Sequence, residues 1–327
     1  MKRETFTDFD AFRATNPQLD GEWLINGGRD WHWCSDSLAV GECGILRCYS
    51  RTGLIIEGVG SKDFYGFYVP FKSGIWRNNG VGFDDNEIVV IEPGAEHCET
   101  SKVEDGWHGF FVPKHLVPIE PETTGERARF SYTITSHPTR TATVRDLFRK
   151  VIAAVTENPD IASSPAARMV EAELKSLLMP ILELERDGVE NNDGARGRPP
   201  ISRLEIMHRS HAVLEKFDSE PIHVSELGSL VGVSERSLRT VFNEYYQMGP
   251  RQYLMLRQLH KVRHDLMESD PDKTTVADVL TRWGVWEFGR FSGRYRTRFG
   301  ELPNETLRRP LISPHSATSH TAPRMVK

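Results

Sequence analysis

The feature that most constrains this 327-residue chain is a stretch written twice. Leu227 is followed five residues later by Gly232, then by Leu238, Phe242 and Pro250; Val279 is followed five residues later by Gly284, then by Phe291, Tyr295 and Pro303. In both copies the two apolar positions after the glycine stand four apart and the proline comes eight residues after the second of them, while the turn of the second copy is one residue longer. A repeat at these intervals implies one supersecondary unit used twice: helix, glycine turn, second helix.

In the first copy, Leu227, Leu230 and Val231 place an apolar stripe on a short helix, Gly232 permits the left-handed backbone that joins helices steeply, and Ser234 suits the N-cap of the next. Along that next helix Leu238, Val241, Phe242 and Tyr245 recur at helical spacing and predict a buried stripe. Arg236, Arg239, Thr240 and Asn243 share the opposite face. Arg is bidentate to guanine, Asn to adenine, and Thr donates, accepts or touches a thymine methyl, so this face suits the edges of bases.

The second copy opens on Thr275 and Asp278, the two ends of a capping box, and its stripe is Val276, Val279, Leu280 and Trp283. After the turn at Gly284, Phe291 and Tyr295 are the buried positions. Gly289 and Gly293 then fall at the centre of the outward face, among Arg290, Ser292, Arg294 and Arg296. A glycine inside a helix costs about 1 kcal/mol relative to alanine. Either a bare backbone settles deeper against a groove floor, or another helix packs closely there.

The double unit resembles the DNA-binding domain of the AraC/XylS family of transcription regulators. The residues that carry the resemblance are Val224–Tyr246 with the following Gly249-Pro250 and Tyr253-Leu254, and Thr275–Leu307, in which the aromatic pair leads to Phe299-Gly300 and Pro303. The wording from Trp283 to Arg296 resembles the branch that includes the ethanolamine-operon regulator. Gly228 departs from the family's usual Ala, which keeps the helix crossing close, and the two outward glycines of the second recognition helix favour anchoring and shape recognition over direct readout. The resemblance implies double-stranded DNA and RNA polymerase as partners, a small-molecule effector, and a cupin-like sensor barrel ahead of the DNA-binding domain.

Length alone implies two domains, because single cores rarely grow past about 250 to 300 residues. A formal net charge of -5 argues against a protein that coats nucleic acid by bulk charge, yet Phe288 to Gly300 holds four Arg and no carboxylate. Cys34, Cys43, Cys48 and Cys98 have no paired metal-site spacing and read as reduced thiols in a cytoplasm. Without an apolar leader or a run of about 18 apolar residues, the expectation is a soluble, cytoplasmic chain with no membrane partner.

The expected architecture is a two-domain α+β chain. Residues 5–18 carry Phe6, Phe9 and Phe12 at rough helical spacing. From 19 to 130, short β-branched and aromatic segments alternate with turn residues at the spacing of a β-sandwich or barrel, the cupin-like barrel being what the resemblance implies. Residues 140–187 turn helical, with Val144, Leu147, Phe148, Val151, Ile152 and Val155 in one stripe, Met169, Leu174, Leu177, Leu178, Ile181, Leu182 and Leu184 in the next, and Pro180 as a kink. This pair either caps the sheet or joins a homodimer through residues 142–184. Residues 1–187 are thus an effector-sensing and dimerisation domain, 188–200 a linker, 201–310 an all-α domain of two helix-turn-helix motifs, and 311–327 a disordered tail.

His32, His97, Cys98, Glu96, Glu99, His108 and His115 are the candidate metal ligands, but none has the His-x-His spacing of a cupin site, so no metal, cofactor or catalytic residue is expected. Trp31, Trp33, Phe64, Tyr65, Phe67, Tyr68, Trp76 and Trp107 concentrate rings in the first domain; two or three are expected to face a ligand, unspecified from sequence. The expected function is a sequence-specific transcription regulator, most plainly an activator and not an enzyme. Base-facing residues would be Arg236, Arg239, Thr240, Asn243, Gly289, Arg290, Ser292 and Gly293, with Arg294, Arg296 and Arg298 on phosphates. The alternative is a β-barrel enzyme carrying a DNA-binding appendage.

Overall fold

The structure, a computed structural model, describes residues 2–16, 19–28, 30–71, 74–82, 84–118, 129–135, 137–158, 161, 164–187, 201–217 and 221–309. The expected linker at 188–200 and tail at 311–327 lie outside the described residues. The chain divides into two compact units: residues 1–204 with 244–246, and the remainder from 205.

The first unit begins with strand β1 (Lys2–Phe6) and helix α1 (Phe9–Arg13), where a single amphipathic helix was expected. Asp8 breaks the stretch by capping α1, its Oδ1 accepting from the Ala11 amide at 2.9 Å. Phe9 and Phe12 are buried as the spacing required, with ring centroids 5.3 and 6.1 Å from that of Trp33.

The turn-punctuated region supplies β2 (Leu19–Gly27), β3 (Trp33–Val40), β4 (Cys43–Ser50), β5 (Gly53–Gly60), β6 (Phe64–Pro70), β7 (Arg77–Asn78), β8 (Val81–Gly82), β9 (Glu87–Ile91), β10 (Glu96–Thr100), β11 (Asp105–Pro113) and β12 (Tyr132–Thr135). They form a seven-stranded sheet in the order β1-β3-β4-β11-β6-β9-β12 and a five-stranded sheet in the order β2-β5-β10-β7-β8. Of the sandwich or barrel that the strand spacing allowed, the barrel is corrected: the strands form two facing sheets that do not close. Among the described residues only an isolated bridge between Glu96 and Phe130 lies outside the named strands, and each sheet keeps two edges. Bulky side chains fill the space between, as where Trp23 of β2 meets Trp107 of β11 at 6.4 Å. Alternating burial is common to sandwiches and barrels, which is why the strand pattern could not separate them.

Helices α2 (Pro138–Glu157) and α3 (Pro165–Asp187) cover the other face of the seven-stranded sheet. Val144, Phe148 and Val151 of α2 and Leu174 and Leu178 of α3 share one core with Phe67, Val69, Val90 and Phe110 of the sheet. Pro180 lies within α3. His108 of β11 stacks on Phe148, the ring centroids 5.1 Å apart and the planes 2° from parallel. Burial, with Arg47, Arg149 and Arg145 nearby, drops its imidazole pKa to about 3, so His108 is neutral.

The second unit is helical: α4 (Arg203–Lys216), α5 (Val224–Val231), α6 (Glu235–Tyr246), α7 (Pro250–Glu268), α8 (Val276–Arg282), α9 (Phe288–Phe299) and α10 (Pro303–Leu307). Here the duplication is visible as structure. Each copy is a short helix, a left-handed glycine (Gly232 at φ 81°, Gly284 at φ 67°), a 12-residue helix, and a third helix with proline in its first turn, Pro250 or Pro303. The equivalence extends to the end of the 12-residue helix, where Gln247 and Gly300 both take left-handed φ, 53° and 77°. No helix among the described residues is long and apolar enough to cross a membrane.

Candidate nucleic-acid interface

The cap, the turn and the second helix of the first motif form as the spacing predicts. The Ser234 hydroxyl caps α6 by accepting from the Ser237 amide at 3.1 Å. A Cβ on Gly228 would come within 3.1 Å of the Val233 carbonyl oxygen, so the missing side chain does keep the crossing of α5 and α6 close. Leu238, Val241, Phe242 and Tyr245 are buried, and Phe242 meets Tyr253 of α7 edge-on at 5.4 Å. Leu230 departs from the expected stripe: it is 50% exposed, because the short helix turns only Leu227, Gly228 and Val231 inward.

With that stripe buried, Arg236, Arg239, Thr240 and Asn243 of α6 are all exposed. The Thr240 hydroxyl donates to the Arg236 carbonyl at 3.1 Å, which engages its proton and leaves the oxygen to act as an acceptor, suited to an exocyclic amino group.

The second motif repeats the arrangement. Thr275 and Asp278 form the expected capping box, and Phe291, Tyr295 and Phe299 of α9 are buried. Gly289, Arg290, Gly293, Arg294 and Arg296 are exposed, and Ser292 is half-buried. A Cβ at Gly289 or Gly293 would meet nothing within 4 Å, so no helix packs on them and close packing does not account for these glycines. Arg290 reaches back to Glu287 at 2.8 Å, an exposed pair that costs little to exchange for another partner. Arg298 differs from its neighbours: it is half-buried, and burial lowers its guanidinium pKa, which sets it apart from the exposed Arg294 and Arg296.

What holds the two motifs together was not legible as function. Helix α7, 19 residues and so about 28 Å long, connects them. On its surface Asp265 accepts two bonds from Arg282 at 2.8 and 2.9 Å and one from the Trp283 indole at 2.9 Å, while Gln258 donates to the Trp283 carbonyl at 2.8 Å. These bonds fasten α8 to α7. Beyond them, buried Arg263 pairs with Glu301 at 2.5 Å and lies over the Phe299 ring. Glu301 also accepts from Arg309 and from Thr306, and Thr306 in turn meets the Tyr295 hydroxyl at 2.8 Å, so α9 and α10 are tied to the same helix. Trp286 and Phe288, 77% and 38% exposed at the start of α9, are further surface residues that a pattern of polar outward positions does not mark.

The candidate histidines disperse. His32 pairs with Asp30, His115 with Glu42 at 3.1 Å, His108 stacks on Phe148, and His97 is buried in β10.

Fold and surface together define a class, a double helix-turn-helix domain, and residues 227–309 match the family model described as a helix-turn-helix domain. Over 110 residues the chain is 36% identical to the "Probable thc operon regulatory protein" of Rhodococcus erythropolis, a match that takes in 34% of this chain and 32% of that protein. Over 129 residues it is 30% identical to the XylDLEGF operon transcriptional activator 1 of Pseudomonas putida, 39% of this chain and 37% of that one. Among solved structures it is similar to the AraC-like transcriptional activator CuxR, at 12% identity over 80% of this chain and 94% of that one, with a TM-score of 0.40. The chain spans about a third of the length of the curated relatives it matches. The second unit is thus a helix-turn-helix domain, of a kind shared with proteins named as operon regulators and transcriptional activators.

Proposed function

We propose that the protein is a sequence-specific, DNA-binding transcription regulator of the AraC/XylS type, activating transcription when its first unit binds a small molecule. The observation that carries this is the twin 12-residue helix, presented twice with its apolar stripe buried and its arginine-rich face in solvent. On this reading Arg236, Arg239, Thr240 and Asn243 read bases in one major groove, and Gly289, Arg290, Ser292 and Gly293 lie against the floor of the next, about 34 Å along the duplex. Arg294 and Arg296 hold phosphates. Arg298 belongs to the same set but, being half-buried, contributes less.

The wording around Trp283–Arg296 supports the narrower placement near the ethanolamine-operon branch. Activation would proceed through RNA polymerase in the cytoplasm. A homodimer formed through residues 142–184 would use the exposed side of α2 and α3, where Met169 is 73% exposed.

Recovering the DNA fragments the protein occupies in cells gives a cognate site. Binding to that site by the purified chain should weaken steeply with salt, and Arg239→Ala should relax the preference at one base pair. Equal affinity for cognate and scrambled fragments, in both the wild type and the variant, would overturn the reading.

A further inference from the structure

The two motifs superpose bond by bond through their turns and differ there by one residue. In the first, the Val233 amide donates to the Gly228 carbonyl at 3.0 Å and the Leu238 amide to the Ser234 carbonyl at 3.0 Å. In the second, the Val285 amide donates to the Leu280 carbonyl at 2.8 Å and the Phe291 amide to the Glu287 carbonyl at 2.9 Å. The first bond of each pair makes Val285 the counterpart of Val233. The second makes Glu287 the counterpart of Ser234, each being the N-cap of its 12-residue helix. Trp286 is therefore the residue by which the second turn exceeds the first.

The first motif closes the same turn without a residue at this place, so the fold does not require one. Nor does Trp286 enlarge the core: it is 77% exposed, and Phe288, two residues on, is 38% exposed. Among the described residues no other Phe, Tyr or Trp is as exposed as these two. Large rings left in water forgo the gain of burial, and two within one turn mark a surface that is covered when the protein acts.

The surroundings indicate what covers it. Helix α9 carries exposed Arg290, Arg294 and Arg296, and the adjoining carboxylate of Glu287 is taken up by Arg290 at 2.8 Å, so the rim calls for an anionic partner. At Gly289 and Gly293 the helix has no side chain to offer. Duplex DNA matches both features. Phosphates line the edges of the major groove, and the apolar group that its floor presents is the C5-methyl of thymine, which aromatic side chains contact directly. We propose that Trp286, with Phe288, recognises thymine through its C5-methyl in the major groove that receives α9. The second motif then reads its half-site by apolar contact, where the first reads by hydrogen bonds. The inference rests on the regulator reading and names the base and the atom that this motif selects.

Deoxyuridine lacks that methyl and keeps the hydrogen-bonding edge, sugar and phosphate of thymidine. Fluorescence anisotropy on a cognate fragment, each thymine replaced in turn by deoxyuridine, therefore tests the contact. At one or two positions the wild type should lose about fourfold in affinity, the worth of one buried methyl group. Trp286→Ala should bind the thymine and deoxyuridine fragments alike at one such position at least, and the double variant with Phe288→Ala should do so at all of those that face α9. The salt slope should stay as it is, because no cation is removed. Trp286 is exposed enough for the single variant to melt like the wild type. The proposal is overturned if no deoxyuridine weakens the wild type, or if Trp286→Ala keeps every sensitivity of the wild type. It is overturned equally if Trp286→Ala binds DNA normally but no longer activates transcription, which would assign the rings to a protein partner. Indifference to deoxyuridine with the cognate fragment still preferred over a scrambled one removes this inference and leaves the regulator reading in place; loss of that preference in the wild type removes both.

Discussion

Replacing Gly289 and Gly293 together by alanine separates the two demands placed on α9. Neither new methyl meets any atom within 4 Å, so nothing in the protein resists it. Gly293 is mid-helix, where alanine gains about 1 kcal/mol; Gly289 is in the first turn, where the gain is about half that. Part of the benefit comes from restricting the unfolded chain. The double variant should therefore be more stable by about 1.5 kcal/mol and melt several degrees higher. If the bare face rests on a groove floor, the same methyls hold the helix off the bases and weaken cognate binding about tenfold or more, a loss within the range of a single base contact. The salt slope should not change, because no cation has been removed. Circular-dichroism melts and fluorescence anisotropy on a cognate fragment at several salt concentrations measure all three quantities. A stabilised variant that binds DNA as tightly as wild type would refute the groove-floor reasoning; a destabilised one would refute the outward placement of the glycines.

Four further outcomes are expected. Arg294→Ala should weaken binding to all sequences alike and lower the salt slope by about one, whereas Arg298→Ala, at a half-buried position, should register more in stability than in salt dependence. Asp265→Ala, which frees the Trp283 indole and Arg282 from α7, should cost about 1–2 kcal/mol in denaturant unfolding, mostly through the half-buried indole because Arg282 is exposed. Gln247→Gly should raise stability by about 1 kcal/mol by relieving an L-residue held at φ 53°, and an unchanged denaturation midpoint would count against strain there.

The pH profile follows from Glu99 and His108. Between pH 4.5 and about 7 the folded state holds a proton on Glu99 that the unfolded chain releases, so this group's contribution declines as pH rises. Between about 3 and 6.5 the unfolded chain protonates His108 and the folded state does not, so that contribution grows as pH rises. The slopes oppose each other from 4.5 to 6.5 and should nearly cancel. Glu99→Gln should uncover the histidine slope, about 1.4 kcal/mol per pH unit, and add about 3 kcal/mol of stability above pH 7. Unfolding free energies that remain level from pH 5 to 6.5 in that variant would show the imidazole to be accessible to protons in the folded state.

The sequence by itself determined the second unit. Caps at Ser234 and Thr275, left-handed turns at Gly232 and Gly284, and the stripe that turns Arg236, Arg239, Thr240 and Asn243 outward are all set within a turn or two of chain, so spacing suffices to read them. A copied interval also averages out the accidents of any single segment. Leu230 shows the limit even there: a helical stripe says which residues share a face, and only the neighbours decide how wide a strip of it is covered. The tertiary structure decided the rest. Strands β2 and β5 look like β3 and β4 in sequence, and only long-range pairing assigned them to different sheets and left the barrel unclosed. The same pairing brought Glu99, Tyr68, Trp76 and Trp107 to one cavity from four separate segments. It also brought Asp265 to Trp283 from across a turn. Local periodicity fixes which way a side chain points, but the group it finally faces is chosen by residues far along the chain, through burial and hydrogen bonding that no short window of sequence contains.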